Sequence, residues 1–187
     1  RNPLPSIDVV RKAAASWGIE DGRPVYIYDG GNGLFAARAW WILRWAGVTD
    51  VHILDGGFAT WDGGGFPTVA GPGGIVVPRD VKLTEGSLPS ATMEDVRAFE
   101  GLLIDARGAR RFQGLREILD LRAGHIPGAR NLPVNDLIDP ETHKVKDTDE
   151  IRDRFSQLGV TQNTDPASVI TYSCLLYTSP SPRDRTR

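Results

Sequence analysis

The single cysteine of this chain, Cys174, follows an apolar run over residues 169–172 whose residue types favour a β-strand. A lone cysteine at the end of a strand is either a small core residue or a nucleophile, and free cysteine is among the most buried residue types. An earlier run over residues 25–28 has the same design and ends at Asp29. The repeated pattern favours a nucleophile over a core residue, so Cys174 is the candidate catalytic residue.

A basic loop follows a third apolar run, at residues 102–104. It begins at Asp105 and includes Arg107, Arg110 and Arg111. Open α/β folds bind their ligands at the carboxyl ends of the strands. A guanidinium group there can bind an anion through two parallel hydrogen bonds. The loop is therefore a candidate anion-binding site.

The composition limits the possible partners and the cellular location. The 187 residues are 40% hydrophobic, which suffices for one large domain or two small ones. A net charge of -2 and a pI near 5.9 argue against a nucleic-acid or acidic-membrane partner. No apolar run approaches the ~20 residues of a membrane helix, and one cysteine excludes an intramolecular disulfide. We expect a cytoplasmic monomer without a cofactor, and interpret the chain, which lacks an initial Met and a signal peptide, as an interior fragment.

Helical and strand patterns alternate along the chain, which predicts an α/β fold with parallel sheets flanked by helices. The predicted helices cover residues 6–17, 34–47, 92–99 and 147–158, and a further one begins at residue 58. The predicted strands cover residues 25–28, 51–54, 102–105, 130–132 and 169–172. A glycine-rich loop, 29–33, follows the first of these strands and can aim backbone N–H groups inward.

The order of elements indicates an internal duplication. The helix end at Trp17-Gly18 corresponds to Leu158-Gly159, and the strand 25–28 corresponds to 169–172. We predict a first domain over residues 1–67, a linker over 68–89, a second domain over 90–174 and an atypical tail over 175–187. The linker is rich in Gly and Pro, with an apolar stretch at 75–77 that could add an edge strand.

Together these residues resemble the tandem-domain rhodanese sulfurtransferases, which include thiosulfate and 3-mercaptopyruvate sulfurtransferases. The resemblance covers about residues 6 to 173. The matching motifs are Tyr28-Asp29, Ala37-Arg-Ala-Trp-Trp41, Leu54-Asp-Gly-Gly-Phe58 with Trp61, Asp105-Ala-Arg107 with Arg111-Phe112, and Gly124-His-Ile-Pro-Gly-Ala129. It implies two rhodanese-like domains, both incomplete in this chain: the C-terminal part of a silent domain, then the N-terminal part of a catalytic one.

The resemblance also implies a chemistry. A cysteine thiolate would take the sulfane sulfur of thiosulfate or 3-mercaptopyruvate as a persulfide and pass it to cyanide or a thiol acceptor. Arg111 would bind the anionic donor, with Arg110 as a weaker neighbour, and Asp29 would occupy the nucleophile position of the silent domain. The alternative is a non-catalytic rhodanese-like module that binds a partner or regulates. No metal site is expected, since His52 and His143 lack ligand spacing.

Two features of the C-terminal end depart from the family pattern, which expects a cysteine directly after the strand and then a Cys-x-x-Gly-x-x-Ala loop. The internal alignment places Ser173, not Cys174, opposite Asp29. The tail over residues 175–187 has no glycine and two prolines, and it resembles translated sequencing-adapter read-through. Two alternatives follow: Cys174 is the nucleophile, or it belongs to this tail. We expect the chain as written to be inactive.

Overall fold

The computed structural model describes residues 4–117 and 122–173, and it divides the chain into two compact units. Among the described residues, one unit contains residues 5–90 together with 140–145, and the other contains residues 91–117, 122–139 and 146–173. Cys174 lies outside the described residues. None of the described helices is long and apolar enough to cross a membrane.

The first unit is built on a two-stranded parallel sheet. Its elements are α1 (Ile7–Ser16), β1 (Val25–Ile27), α2 (Leu34–Trp45), β2 (Val51–Ile53) and α3 (Gly57–Gly63). β1 and β2 pair with Val25 opposite Val51 and Ile27 opposite Ile53. The core residues alternate with exposed ones at helical spacing in α1, where Val10 and Ala14 are buried. Leu43 of α2 is also buried, so both helices bury one face.

Residues 64–90 form no strand, so the edge strand that the apolar stretch 75–77 could have added is absent. Ile75 is almost fully exposed. Three backbone N–H groups of this segment instead donate to the C-terminal ends of α1 and α2. The N–H groups of Arg79, Thr84 and Ser87 donate to the carbonyls of Ala15, Ala46 and Trp45, respectively. The many Gly and Pro residues explain the outcome, since both residue types weaken a ladder of strand hydrogen bonds.

The second unit contains a three-stranded sheet. Its elements are α4 (Met93–Arg97), β3 (Leu102–Asp105), α5 (Ala109–Phe112), β4 (Arg130–Asn131), α6 (Thr148–Ser156) and β5 (Val169–Tyr172). The strand order is β4-β3-β5, and both pairings are parallel. Thr92 caps α4 in a reciprocal pair with Asp95. β1 and β5 lie in separate sheets, as the predicted duplication requires.

Candidate functional site

The carboxyl ends of β3 and β5 lie side by side. Leu102 pairs with Val169, and the register places Asp105 opposite Tyr172. Position 173, where the internal alignment expects the nucleophile, follows directly after Tyr172. The basic loop follows Asp105, and its second half forms α5. Parallel pairing therefore brings the arginine-bearing loop and the end of β5 to one edge of the sheet.

Asp105 is fully buried and forms an ion pair with Arg107, which is also buried. Arg107 Nε donates to both carboxylate oxygens at 3.0 and 3.1 Å, and Nη2 donates to Oδ2 at 2.7 Å. Burial raises the pKa of Asp105, but the hydrogen bonds from Arg107 and Tyr172 and the charge of Arg107 outweigh it and hold the pKa below its usual value. This carboxylate is ionised and fixed in place.

Arg111, the predicted donor-binding residue, forms a second ion pair with Glu117. Its Nη2 donates to the two carboxylate oxygens at 3.0 and 3.2 Å, and its Nε donates to Oε2 at 3.2 Å. The Glu117 side chain is only 5% exposed and the Arg111 side chain 18%. Arg107 Nη1 lies 3.5 Å from Glu117 Oε2, which joins the two ion pairs. Arg110, in contrast, is exposed.

Tyr172 connects this ion-pair network to the Gly-His-Ile-Pro turn. Its hydroxyl accepts a hydrogen bond from the Ile126 N–H at 3.2 Å and lies beside the Asp105 carboxylate. Burial is the main reason that the pKa of Tyr172 rises to about 12, and the neighbouring Asp105 adds to it. Tyr172 therefore remains a neutral donor, one residue before the candidate nucleophile positions.

Two further side chains hold the loops of this edge. Asn131 Nδ2 donates to the carbonyls of Asp105 and Arg107 at 2.9 and 2.8 Å. His125 stacks on Phe112 with the ring centres 3.7 Å apart, and its Nδ1 lies 2.7 Å from the Phe112 carbonyl oxygen. These contacts give His125 a structural role. No His, Cys, Asp and Glu cluster suited to a metal occurs among the described residues.

The Asp29 carboxylate occupies a cradle of backbone N–H groups in the first unit. Gly31 and Gly33 donate to Oδ1 at 3.0 and 3.1 Å, and Phe35 and Ala36 at the start of α2 donate to Oδ2 at 3.1 Å. Burial raises the pKa of Asp29, but these hydrogen bonds lower it below its usual value. Gly33 has a φ of 81°, a conformation that favours glycine. The glycine-rich loop thus holds an anionic group, as its sequence indicates.

Sequence reasoning did not identify Glu117, Tyr172 or Asn131 as contributors to the site. Glu117 lies in the loop after α5, and its two arginine partners cannot be inferred from spacing. Tyr172 could have been found from its position, because it is the last residue of the strand before the predicted nucleophile. Asn131 is part of a two-residue strand whose pairing with β3 only the fold reveals.

Comparison with known proteins shows to which family this chain belongs. Residues 1–63 match the model of the rhodanese-like domain. A probable 3-mercaptopyruvate sulfurtransferase of Pseudomonas aeruginosa is 36% identical in an alignment of 165 residues that covers 84% of this chain and 57% of that protein. The chain belongs to the rhodanese family. The predicted family and the predicted fold class are thereby confirmed.

Two other rhodaneses extend the comparison. The thiosulfate sulfurtransferase of Gallus gallus is 32% identical over 162 residues, covering 84% of this chain and 54% of that protein. The crystal structure of SseA from Escherichia coli, described as a 3-mercaptopyruvate sulfotransferase, superposes with a TM-score of 0.73 at 32% identity, covering 90% of this chain and 63% of the other. This rhodanese chain spans a little over half the length of the curated relatives that it matches.

Proposed function

We propose that this chain is part of a sulfurtransferase that moves a sulfane sulfur from an anionic donor to cyanide or a thiol through a cysteine persulfide. The similarity of 84% of the chain to proteins named thiosulfate or 3-mercaptopyruvate sulfurtransferases supports this proposal most strongly. The similarity extends beyond the silent first unit into the second. The arginine-bearing edge of the β4-β3-β5 sheet is the place where the donor would bind.

The proposed reaction with thiosulfate has two displacement steps. The thiolate sulfur attacks the outer sulfur of thiosulfate, the S–S bond of the donor breaks, and sulfite leaves with the electron pair. Cyanide then attacks the terminal sulfur of the persulfide, which forms thiocyanate and returns the thiolate. With 3-mercaptopyruvate, the C–S bond breaks instead, and the carbon that leaves takes a proton to give pyruvate.

The thiolate must be available at neutral pH. A thiol with a pKa of ~8.5 is only about 3% ionised at pH 7, and a shift of about two units would ionise roughly three-quarters of it. The cradle around Asp29 illustrates how a rhodanese loop could achieve this, since four N–H groups there stabilise one anion. We propose that Asp29 is the silent-domain equivalent of the nucleophile and that a comparable loop serves the catalytic domain.

Arg111 is the proposed donor-binding residue and Arg110 its weaker neighbour. The placement of Arg111 after β3 supports the assignment, and its contact with Glu117 presents a guanidinium in a fixed orientation. Arg110 is exposed, so it would act as a mobile charge at the rim. Cys174 is the proposed nucleophile of the chain as written, with position 173 as the alternative that the alignment to Asp29 favours.

A thiocyanate-release assay with thiosulfate and cyanide tests the proposal. A variant with residues 173–187 replaced by a Cys-x-x-Gly-x-x-Ala loop and a following helix should release thiocyanate. It should lose this activity when its new cysteine is changed to serine. The unaltered chain is assayed beside it with Cys174→Ser. Turnover that depends on Cys174 assigns the nucleophile there, and no turnover by any variant rejects the sulfurtransferase function.

The donor site is tested in the same assay. Arg111→Ala should reduce the use of thiosulfate at least tenfold, because a charge-assisted bidentate contact contributes about 1.5–3 kcal/mol. Arg97→Ala is the matched control, since Arg97 belongs to the same unit and its side chain is exposed. Equal kinetic constants for thiosulfate in the two variants would show that Arg111 does not bind the donor.

A non-catalytic binding or regulatory module is the second candidate. The observation that favours it is the sequence after Tyr172: residues 175–187 contain no glycine, whereas the anion cradle around Asp29 uses the N–H groups of Gly31 and Gly33. We also propose a cytoplasmic monomer, which size-exclusion chromatography and fractionation of cells would check. Failure of every cysteine-bearing variant to turn over, with an intact fold, would favour this second function.

A further inference from the structure

Glu117 is placed between the two arginines of the candidate site. Its carboxylate accepts hydrogen bonds from Arg111 Nε and Nη2 and lies 3.5 Å from Arg107 Nη1. Its side chain is almost completely buried, so water screens its charge much less than it would at the surface. A buried carboxylate so close to a donor-binding guanidinium affects every anion that binds there.

Within the part of the chain that the structure describes, the ion pairs of this network join two carboxylates, those of Asp105 and Glu117, to two guanidinium groups, those of Arg107 and Arg111. Asp105 is matched mainly by Arg107, which leaves Glu117 to offset Arg111. An anion that contacts Arg111 therefore meets a group that can donate hydrogen bonds but whose positive charge is largely compensated.

We propose that Glu117 is a specificity-determining residue that acts through Arg111 and favours monoanionic over dianionic sulfur donors. The proposal rests on the proposed function, because it takes Arg111 as the donor-binding group. The electrostatic energy of an anion near a fixed charge is proportional to the charge of the anion. The repulsion from Glu117 consequently costs a dianion such as thiosulfate twice what it costs a monoanion such as 3-mercaptopyruvate.

The size of this discrimination follows from Coulomb's law. Even in a water-like dielectric, where screening is strongest, two unit charges ~6 Å apart alter an affinity about threefold. Because Glu117 is buried and less screened, removal of its charge should strengthen the binding of a monoanion at least ~3-fold and that of a dianion at least ~10-fold. The ratio of the two affinities is the quantity to measure, because a general change in the site cancels from it.

The experiment measures the dissociation constants of thiosulfate and pyruvate by calorimetric titration at constant ionic strength. Pyruvate serves as an unreactive monoanionic carboxylate, so the test needs no turnover. Glu117→Gln removes the charge and keeps an oxygen that can accept from Arg111. The expected result is a thiosulfate-to-pyruvate affinity ratio that rises at least ~3-fold over the wild type.

Three variants control this experiment. Glu94→Gln makes the same change in net charge at an exposed position of the same unit and should leave the ratio unchanged. Glu117→Met removes the charge with an apolar side chain of similar length, and it should show the same rise in the ratio. Glu117→Gln combined with Arg111→Gln should lose the gain, because without Arg111 neither anion is held close to position 117. Thermal unfolding checks that each variant is folded.

The outcomes separate the inference from the proposed function. An unchanged ratio in folded Glu117→Gln or Glu117→Met overturns the inference, as does a rise that persists without Arg111. Binding of neither anion to the wild type or to any Glu117 variant also overturns it. Failure of the thiocyanate assay alone rejects the proposed reaction, and the affinity ratio still decides whether Glu117 discriminates between anions.

Discussion

The Tyr172 hydroxyl, at the carboxyl end of β5, lies beside the Asp105 carboxylate at the end of the adjacent parallel strand β3 and helps to lower the pKa of that carboxylate. The same hydroxyl accepts the Ile126 N–H, so one phenol group joins β3, β5 and the turn that precedes β4. Through Asp105 the phenol is connected to Arg107, and through Arg107 to Glu117. The position of the strand end that precedes the candidate nucleophile is thus fixed by the residues that orient Arg111.

We expect Tyr172→Phe to destabilise the second unit by about 1–3 kcal/mol, since it leaves the Ile126 N–H without its partner. Urea unfolding measures the change. Tyr26→Phe is the matched control, because the Tyr26 side chain is 68% exposed and should tolerate the loss of its hydroxyl. Equal stability of the two variants would show that the Tyr172 hydroxyl contributes nothing.

We expect the Asp29 cradle to make the first unit sensitive to acid. The pKa of Asp29 is lower in the folded chain than in the unfolded one, so its contribution to stability is present above the ordinary carboxyl pKa of ~3.9 and is lost as the pH falls below it. Asp29→Asn should be less stable than wild type at neutral pH, with a difference that shrinks at low pH. Thermal unfolding across that range tests this, and a difference independent of pH would contradict it.

Gly57 should not tolerate a side chain. A Cβ at this position would lie 2.6 Å from the Asp29 carbonyl oxygen, and Gly57 has a φ of 59°. Gly57→Ala should therefore destabilise the first unit by about 1 kcal/mol or more. Gly63→Ala in the same helix is the control: nothing lies within 4 Å of its Cβ, and alanine should be neutral or stabilising there. Equal unfolding midpoints for the two would contradict the close approach.

The sequence predicts the regular elements of this chain well, because their apolar periodicity is local. The helices begin and end within a few residues of their predicted bounds, as α1 shows between Ser6 and Gly18. The two residues of β4 are a weaker case, since a strand that short is defined by its partner β3 and not by its own pattern. The segment after α3 forms no strand despite its apolar stretch, because its many Gly and Pro residues weaken a ladder of strand hydrogen bonds.

The candidate site is predictable only in part. The glycines after Asp29 indicate an anion cradle because glycine and a strand end together favour inward N–H groups. The pairing of Arg111 with the buried carboxylate of Glu117 could not be predicted from the sequence. Glu117 lies six residues from Arg111 along the chain, and its contact depends on how the loop after α5 folds back. Polar pairs between loop residues depend on the path of the folded chain, and the spacing of the residues along the sequence does not reveal them.

Cys174 should behave as an ordinary thiol in the chain as written. Residues 175–187 contain no glycine, and Pro180 and Pro182 have no N–H to donate, so the sequence offers little to stabilise a thiolate. The rate of alkylation by iodoacetamide should rise with a midpoint near pH ~8.5, the value of a free cysteine. Replacing residues 173–187 with the Cys-x-x-Gly-x-x-Ala loop should lower the midpoint by about two units, as the N–H groups around Asp29 suggest. A midpoint below pH ~7 in the unaltered chain would instead identify Cys174 as an activated nucleophile.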